Sequence, residues 1–237
     1  MSDAISKASL DQVAALVRGV RLPLEPIGEE FLDVIAEGIS EAFEHARATA
    51  PLTVAKGNET AVTALLESHL NRRIDEDPLW RLLVTSVGRG VESVNYDGTK
   101  LEKRPDLSIV LSKRSRRFPL IVEAKIVDHK SGKTARLYCE KGVERFQIGD
   151  YAWGCREAFM LAYVRDGSPQ ITTLNARLSA TSTSGNTQFG TLEGPTARST
   201  TNGELALTRH TRAFVYPCQT PPDQMPGAIS LWHIWLA

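Results

Sequence analysis

An acidic and a basic residue interrupt an aliphatic segment in the middle of the chain. The segment reads Leu120-Ile121-Val122-Glu123-Ala124-Lys125-Ile126-Val127, and such an aliphatic run is typical of a strand that is buried on both faces. Because side chains alternate along a strand, Glu123 and Lys125 project from the same face. Burial of a carboxylate and an amine is costly unless they pair, or meet a metal ion and a polar substrate. These two residues are therefore the first candidates for chemistry.

Two earlier acids are placed to converge on this segment. Asp106 opens a predicted strand at residues 105 to 111, and the loop that follows is short enough for the two strands to be neighbours. Glu59 lies in the first turn of a predicted helix and points along its apolar stripe. Mg²⁺ prefers hard oxygen ligands and keeps several waters, so a few carboxylates and a phosphate oxygen suffice to bind it. With a lysine to orient or deprotonate a water, the pattern indicates metal-dependent phosphodiester hydrolysis.

Two motifs resemble a known superfamily. Pro105-Asp106, followed after sixteen residues by Glu123-Ala124-Lys125, resembles the motif of the PD-(D/E)xK nucleases, which have the restriction-endonuclease-like fold. Downstream, Gln147-Ile148-Gly149-Asp150-Tyr151 resembles the QxxxY element of RecB-type exonucleases. Gln147 and Tyr151 are four residues apart, so on one helix face both would reach a substrate groove. The chain departs from the RecB type because no histidine precedes the acids where that group places a metal ligand.

The resemblance, which covers roughly residues 55 to 165, implies a role for each acid and for the lysine. Asp106 and Glu123 would bind Mg²⁺ or Mn²⁺, Lys125 would serve the attacking water, and Glu59 would support the metal directly or through water. The implied activity is hydrolysis of DNA, with RNA as an alternative substrate. By analogy with the family, such an enzyme would act in bacterial DNA defence, repair or a mobile element.

Periodicity predicts the elements that position these residues. Two amphipathic helices fill the first fifty residues, and a third begins at Asn58, a favourable N-cap. Strands are then predicted within residues 82 to 94, 105 to 111 and 120 to 127, followed by a helix at about 134 to 153 and a strand at 158 to 164. Residues 179 to 204 are predicted to be a long loop or irregular hairpin, and two late strands occupy residues 212 to 216 and 229 to 236.

This order predicts an α/β protein with a central mixed β-sheet flanked by helices. In the terms of the resemblance, the fold is a restriction-endonuclease-like αβββαβ core with N-terminal helices and extra C-terminal strands. Residues 1 to 54 would form an N-terminal helical extension. Residues 55 to 237 would form the nuclease domain with its added strands.

Composition narrows the class of protein and of partner. The 237 residues are 42% hydrophobic and carry a formal net charge of zero, which argues against nucleic-acid binding through overall charge but leaves room for a local basic groove. Three widely spaced cysteines form no zinc or disulfide pattern, and no apolar run approaches the ~20 residues that cross a bilayer. We therefore expect a cytoplasmic protein without a membrane partner. Its expected partner is nucleic acid, DNA above all, and a homodimer or a partner protein of a defence system is compatible with the sequence.

Each candidate also has a structural interpretation. Glu123 and Lys125 could lie on the solvated face of an edge strand that carries a cross-strand ion pair. Glu59 could complement the helix dipole, and Asp106 could belong to an ordinary turn. Gln147 and Tyr151 could be a polar pair beside a packing stripe. The basic turn, defined as residues 113 to 117 (Lys-Arg-Ser-Arg-Arg), is either a solvated hairpin tip or a contact to phosphates.

Two alternatives to an enzyme follow from the same residues. The chain could be a nucleic-acid- or protein-binding module on this fold, with cleavage weak or dependent on a partner. The acids and the lysine could also form only a structural ion network, in which case apolar replacement of the pair would preserve or raise stability.

Overall fold

A seven-stranded sheet organises the chain. The computed structural model describes residues 7–100, 102–179, 187–198, 204–219 and 224–237. In these ranges the strands are β1 (Val84–Arg89), β2 (Leu107–Leu111), β3 (Leu120–Val127), β4 (Glu157–Val164), β5 (Thr191–Arg198), β6 (Glu204–His210) and β7 (Ile229–Leu236). Their order in the sheet is β1-β2-β3-β4-β7-β6-β5. Strands β3, β4 and β7 run parallel and the other neighbours run antiparallel, so the sheet is mixed.

Helices cover both faces of this sheet. Before β1 come α1 (Lys7–Val17), α2 (Glu29–Thr49), α3 (Pro51–Lys56), α4 (Glu59–Glu76) and α5 (Pro78–Leu83). A 3₁₀ turn (His129–Ser131) follows β3, and α6 (Ala135–Tyr138), a π-helical turn (Cys139–Val143) and α7 (Glu144–Gln147) then form one continuous segment before β4; α8 (Gln170–Leu178) follows β4. Helices α2 and α4 share the core on one face, and α1, α6, α7 and α8 contribute to the core on the other. The predicted α/β class with a central mixed sheet is confirmed.

Strand β3 lies between the two cores. Its even-numbered residues, Leu120, Val122, Ala124 and Ile126, belong to the core with α2 and α4. Ile121 and Val127 belong to the core with α6 and α7. Because side chains alternate along a strand, Glu123 and Lys125 lie on this second face. The prediction of a strand at residues 120 to 127 that is buried on both faces is confirmed.

The predicted helix at residues 134 to 153 was too long. The helical segment ends at Gln147, because Gly149 adopts a φ of +78°, in the left-handed region that favours glycine and stops helices. A Cβ at this position would also lie 2.6 Å from the Tyr96 ring and 2.8 Å from the Phe214 ring. Asp150 and Tyr151 therefore belong to the connection between α7 and β4, and not to a helix.

The predicted strand at residues 212 to 216 was wrong. This segment lies outside the sheet and is held through its side chains. The buried Arg212 guanidinium donates to the Trp153 carbonyl oxygen at 2.7 Å, and the Tyr216 hydroxyl donates to the same oxygen at 2.7 Å. These side chains bind the α7–β4 connection, so the apolar pattern reflected packing and not strand pairing.

Residues 179 to 204, predicted to be a long loop or irregular hairpin, contain β5 and the first residue of β6, which pair antiparallel with irregular register. Strand β6 pairs with β7, and β5 pairs with β6 at the edge of the sheet. Most residues of β5 are exposed or half-buried, so no apolar alternation marks it in the sequence. Residues 180 to 186 and 199 to 203 of the predicted loop are outside the described residues. Helix α8 was not predicted.

Over the described ranges, no helix is at once sufficiently long and sufficiently apolar to span a bilayer.

Candidate active site

Three elements bring the predicted acids and lysine together. Leu107 on β2 and Val122 on β3 are cross-strand partners, so the next pair along the two strands is Asp106 and Glu123. Helix α4 starts at Glu59, after its N-cap Asn58 accepts a hydrogen bond from the Ala61 amide at 2.8 Å. The predicted N-cap is confirmed. The sheet and the first turn of α4 thus meet at one place.

The ammonium group of Lys125 lies at the centre of this meeting point. Its Nζ is 2.6 Å from Glu123 Oε1, 3.4 Å from Glu59 Oε2 and 3.7 Å from Asp106 Oδ2. It also donates to the Ala124 carbonyl oxygen at 2.7 Å. One cation is therefore shared by three carboxylates, which come from α4, from β3 and from the residue immediately before β2. We call these four residues the acid cluster.

Asp106 is fixed by the backbone of the neighbouring strand. Its Oδ2 accepts a hydrogen bond from the Ala124 amide at 2.8 Å. The side chain is about a quarter exposed, so it lies between the sheet and the solvent. This bond is more than ordinary turn chemistry, because it connects β2 to β3 at the acid cluster.

Glu123 is the most buried member of the acid cluster, with 1% of its surface exposed. Its Oε1 accepts from Lys125 and from Arg145 Nη1, the latter at 2.8 Å, whereas Oε2 is buried without a hydrogen-bond partner among the described residues. Burial raises the pKa of Glu123 to about 7; the charge of Asp106 adds to the shift, and Lys125 and Arg145 oppose it. A buried carboxylate oxygen without a donor is costly, and it is a place where a cation would be stabilised.

The shifted pKa of Glu123 predicts a pH-dependent stability. A carboxyl group whose pKa is raised by folding stabilises the folded state at pH values below the pKa that the group has in the unfolded chain. This contribution is lost as the pH rises through about 7, the pKa in the folded state. We expect Glu123→Gln, measured with EDTA, to gain about 3 kcal/mol relative to the wild type between about pH 5 and pH 8. Urea denaturation at several pH values measures this difference. The exposed Glu102→Gln is the control, and a pH-independent difference for Glu123→Gln contradicts the assignment.

Lys125 remains protonated in this arrangement. Burial alone would lower its pKa, but the carboxylates of Glu123, Asp106 and Glu59 raise the pKa above its ordinary value. The helical segment above it comes close because Gly142, in the π-helical turn, has no side chain. A Cβ there would overlap the Met160 side chain and lie 3.9 Å from Lys125 Cγ. π-Helical turns are frequent at functional sites, and this one lies beside the Lys125 side chain.

Tyr151 and Arg145 close the other side of Glu123. The Tyr151 hydroxyl donates to the Arg104 carbonyl oxygen at 2.9 Å and accepts from Arg145 Nη1 at 2.9 Å. The Arg145 guanidinium also lies 5.3 Å from the centre of the Tyr151 ring. Burial raises the pKa of Tyr151, so its hydroxyl stays neutral. Sequence reasoning missed Arg145; the signal was a basic residue on the helix that follows a buried acid, since such an acid needs more than one donor.

Gln147 does not lie at the acid cluster. Its backbone carbonyl accepts from the Ala213 amide at 2.9 Å. Its side-chain nitrogen lies beside Gly190, where a Cβ would be 2.7 Å from Nε2. The interpretation that Gln147 and Tyr151 share a helix face was wrong, because α7 ends at Gln147. The structure brings Tyr151 to the predicted acids and directs Gln147 toward the segment before β5.

The ligand arrangement is sparse for a metal site built from protein alone. Within the part of the chain that the structure describes, no group of three or more His, Cys, Asp or Glu side chains is placed to hold a metal ion. The three carboxylates of the acid cluster instead surround the Lys125 ammonium. These carboxylates provide hard oxygen ligands for a cation, and one of the oxygens, Glu123 Oε2, accepts no hydrogen bond from the described residues.

Comparison with known proteins identified no relative: no protein-family model, no curated protein and no solved structure matches the chain. Its chemistry must therefore be inferred from the contacts of the acid cluster.

Proposed function

We propose that the chain is a metal-dependent nuclease that hydrolyses phosphodiester bonds in DNA, with RNA as an alternative substrate. The observation that carries this proposal is the convergence of Glu59, Asp106 and Glu123 on the single ammonium of Lys125. A purely structural ion pair needs one acid for one base. Glu123 also pairs with the Arg145 guanidinium, so three acids face two bases. The remaining negative charge lies at a surface where Asp106 and Glu59 are partly exposed, which suits a divalent cation.

The order of elements supports a restriction-endonuclease-like core. The short helix α5 lies between α4 and β1. With that addition, helix α4, the antiparallel strands β1, β2 and β3, the α6–α7 segment and the parallel strand β4 follow the order α-β-β-β-α-β. In this proposal β5, β6 and β7 are the extra C-terminal strands, which continue the sheet beyond β4. The acid cluster then lies on the strands and the helix that the resemblance predicts.

The residues fit Mg²⁺ or Mn²⁺. Mg²⁺ is commonly bound through one or two carboxylates plus substrate phosphates and several waters, so a full cage of protein ligands is not required. Asp106 and Glu123 would hold the ion, and Glu59 would support it directly or through water. The unpartnered Oε2 of Glu123 is the oxygen best suited to it. When bound, the ion supplies Lewis-acid polarisation of the phosphodiester.

The chain's own residues then have separate tasks. Lys125, held protonated by the acids, orients the attacking water and stabilises the negative charge that develops on the phosphate. Arg145 fixes the orientation of Glu123 by donating to Oε1, which leaves Oε2 free of the guanidinium. Its side chain is about one third exposed, so the guanidinium also has a surface for substrate phosphate. Tyr151 positions Arg145 through its hydroxyl.

A cleavage assay on several substrates tests the proposal. Purified protein is incubated with plasmid, linear duplex, single-stranded DNA and RNA, with Mg²⁺ or Mn²⁺ and then with EDTA. We expect cleavage of at least one DNA substrate with the metal and none with EDTA. Cleavage of none of the four substrates with either metal contradicts the proposal and favours a binding module on the same fold.

A further inference from the structure

We propose that a cavity beside the acid cluster binds one unpaired base of the substrate. This inference rests on the proposed function, because it places the base next to the phosphodiester that the acid cluster would hydrolyse. The cavity lies between the basic turn, the β2–β3 hairpin and the connections before β2 and β4. We call it the base pocket.

The size and walls of the base pocket suit a flat, mostly apolar group with polar edges. Its volume is about 270 Å³, just below the roughly 300 Å³ at which pockets for drug-sized ligands begin. Apolar walls come from Val94, Phe118, Ile121 and Trp153, and hydroxyl groups come from Ser93 and Ser108. A nucleobase combines apolar faces with hydrogen-bonding edges, so it matches this lining.

The base pocket and the acid cluster lie on the same face of the same two strands. Ser108 and Ile121 are cross-strand partners that line the pocket. Asp106 lies two residues before Ser108, just outside β2, and Glu123 lies two residues after Ile121 on β3. Both are on the same side of the sheet as the pocket, about 7 Å away at the usual rise of a strand. The phosphate and the base of one nucleotide are separated by one sugar. A nucleotide whose phosphate lies at the acid cluster can therefore direct its base into the pocket.

An exposed arginine at the rim of the base pocket favours nucleic acid as the occupant. Arg116 and Arg117 of the basic turn line the pocket together with two acids, Glu92 and Asp150. Both acids are already paired, Glu92 with Arg104 and Asp150 with Lys100 and Lys103. Arg117 Nη1 donates to the carbonyl oxygens of Leu16 at 2.7 Å and Arg18 at 3.1 Å, which anchors the turn to α1 and the residues after it. Arg116 is exposed, so its guanidinium is available to a backbone phosphate. The basic turn thus lies where a strand entering the acid cluster would pass.

The pocket implies a substrate with at least one unpaired nucleotide. A base inside a duplex is stacked and paired, so it enters a protein pocket only after extrusion or from single-stranded nucleic acid. We therefore expect preference for single-stranded DNA, or for sites where a base is easily extruded. If a fully paired duplex were cleaved at the same rate as single strands, the pocket would have no part in binding the substrate.

The pocket is tested by comparing the affinity of the protein for intact single-stranded DNA with its affinity for the same strand lacking one base. In EDTA, where no hydrolysis is expected, the affinity of the full chain for a fluorescent oligonucleotide is compared with a set in which one abasic site is moved along the strand. We expect one abasic position to weaken binding by about tenfold. Val91→Trp, at the rim, should weaken binding of the intact strand by a similar factor and remove the effect of the abasic site.

Val34→Trp is the matched control, because Val34 has 44% of its surface exposed against 48% for Val91 and lies on α2, on the other face of the sheet. This variant should bind the intact and the abasic oligonucleotides with the affinities of the wild type. Equal affinity at every abasic position, or an unchanged Val91→Trp, overturns the pocket even if DNA is cleaved with Mg²⁺. Abasic discrimination without any cleavage supports the pocket and overturns the nuclease proposal.

Discussion

Lys125→Met should lower the rate of metal-dependent DNA cleavage by about 10²–10³-fold, the loss usually seen when one preorganised donor to a developing charge is removed. Methionine keeps the length and the apolar part of the side chain, but it removes the ammonium that lies within 3.7 Å of three carboxylates. The loss should appear in kcat more than in KM, because the group acts on the charge of the transition state. Single-turnover cleavage of a labelled DNA strand measures it.

The control for this substitution is Lys130→Met, at an exposed lysine five residues further along the chain. It should cleave like the wild type. Thermal unfolding of both variants shows whether Lys125→Met remains folded, since the buried Glu123 loses one of its two donors. A folded Lys125→Met protein that cleaves at the wild-type rate contradicts the assigned role of the lysine.

Asp106→Asn should weaken Mn²⁺ binding at least about 100-fold, since even loss of an outer-shell partner commonly costs 10–100-fold in metal affinity. Asparagine retains a side-chain oxygen that can accept the Ala124 amide, so the link between β2 and β3 is preserved. What is removed is the negative charge beside Glu123. Titration calorimetry with Mn²⁺ measures the affinity directly.

Asp75→Asn, at an exposed position near the end of α4, is the matched control and should bind Mn²⁺ like the wild type. If Asp106→Asn and Asp75→Asn bind the ion equally, Asp106 is not a ligand. Absence of Mn²⁺ binding by the wild type, both alone and with single-stranded DNA, favours a structural ion network.

The sequence predicted the part of the fold where local pattern and burial agree. Strand β3 was predicted at its observed bounds because it is aliphatic on both faces, and β7 was predicted equally well at residues 229 to 236. The N-cap at Asn58 was predictable because its side chain bonds a nearby amide. Once β2 and β3 were predicted to be neighbours, the alternation of side chains along a strand was sufficient to predict that Asp106 and Glu123 lie close together.

The remaining features depend on contacts between distant parts of the chain. An irregular hairpin was one of the two predictions for residues 179 to 204, but β5 itself could not be located because an exposed edge strand needs no apolar alternation. Residues 212 to 216 resembled a strand, yet Arg212 and Tyr216 bind the carbonyl oxygen of Trp153 instead. Arg145 was missed because its contact with Glu123 spans 22 residues and depends on where α7 ends. Local pattern carries no information on such partners.

Cleavage of plasmid, linear duplex, single-stranded DNA and RNA by the wild type and by Asp106→Asn, purified side by side, tests the central claim most directly. We expect the wild type to cleave with Mg²⁺ or Mn²⁺ and to stop with EDTA, and Asp106→Asn to show no cleavage under any of these conditions. Equal cleavage by both proteins, or no cleavage of any of the four substrates by the wild type with either metal, would contradict a nuclease centred on Glu59, Asp106, Glu123 and Lys125.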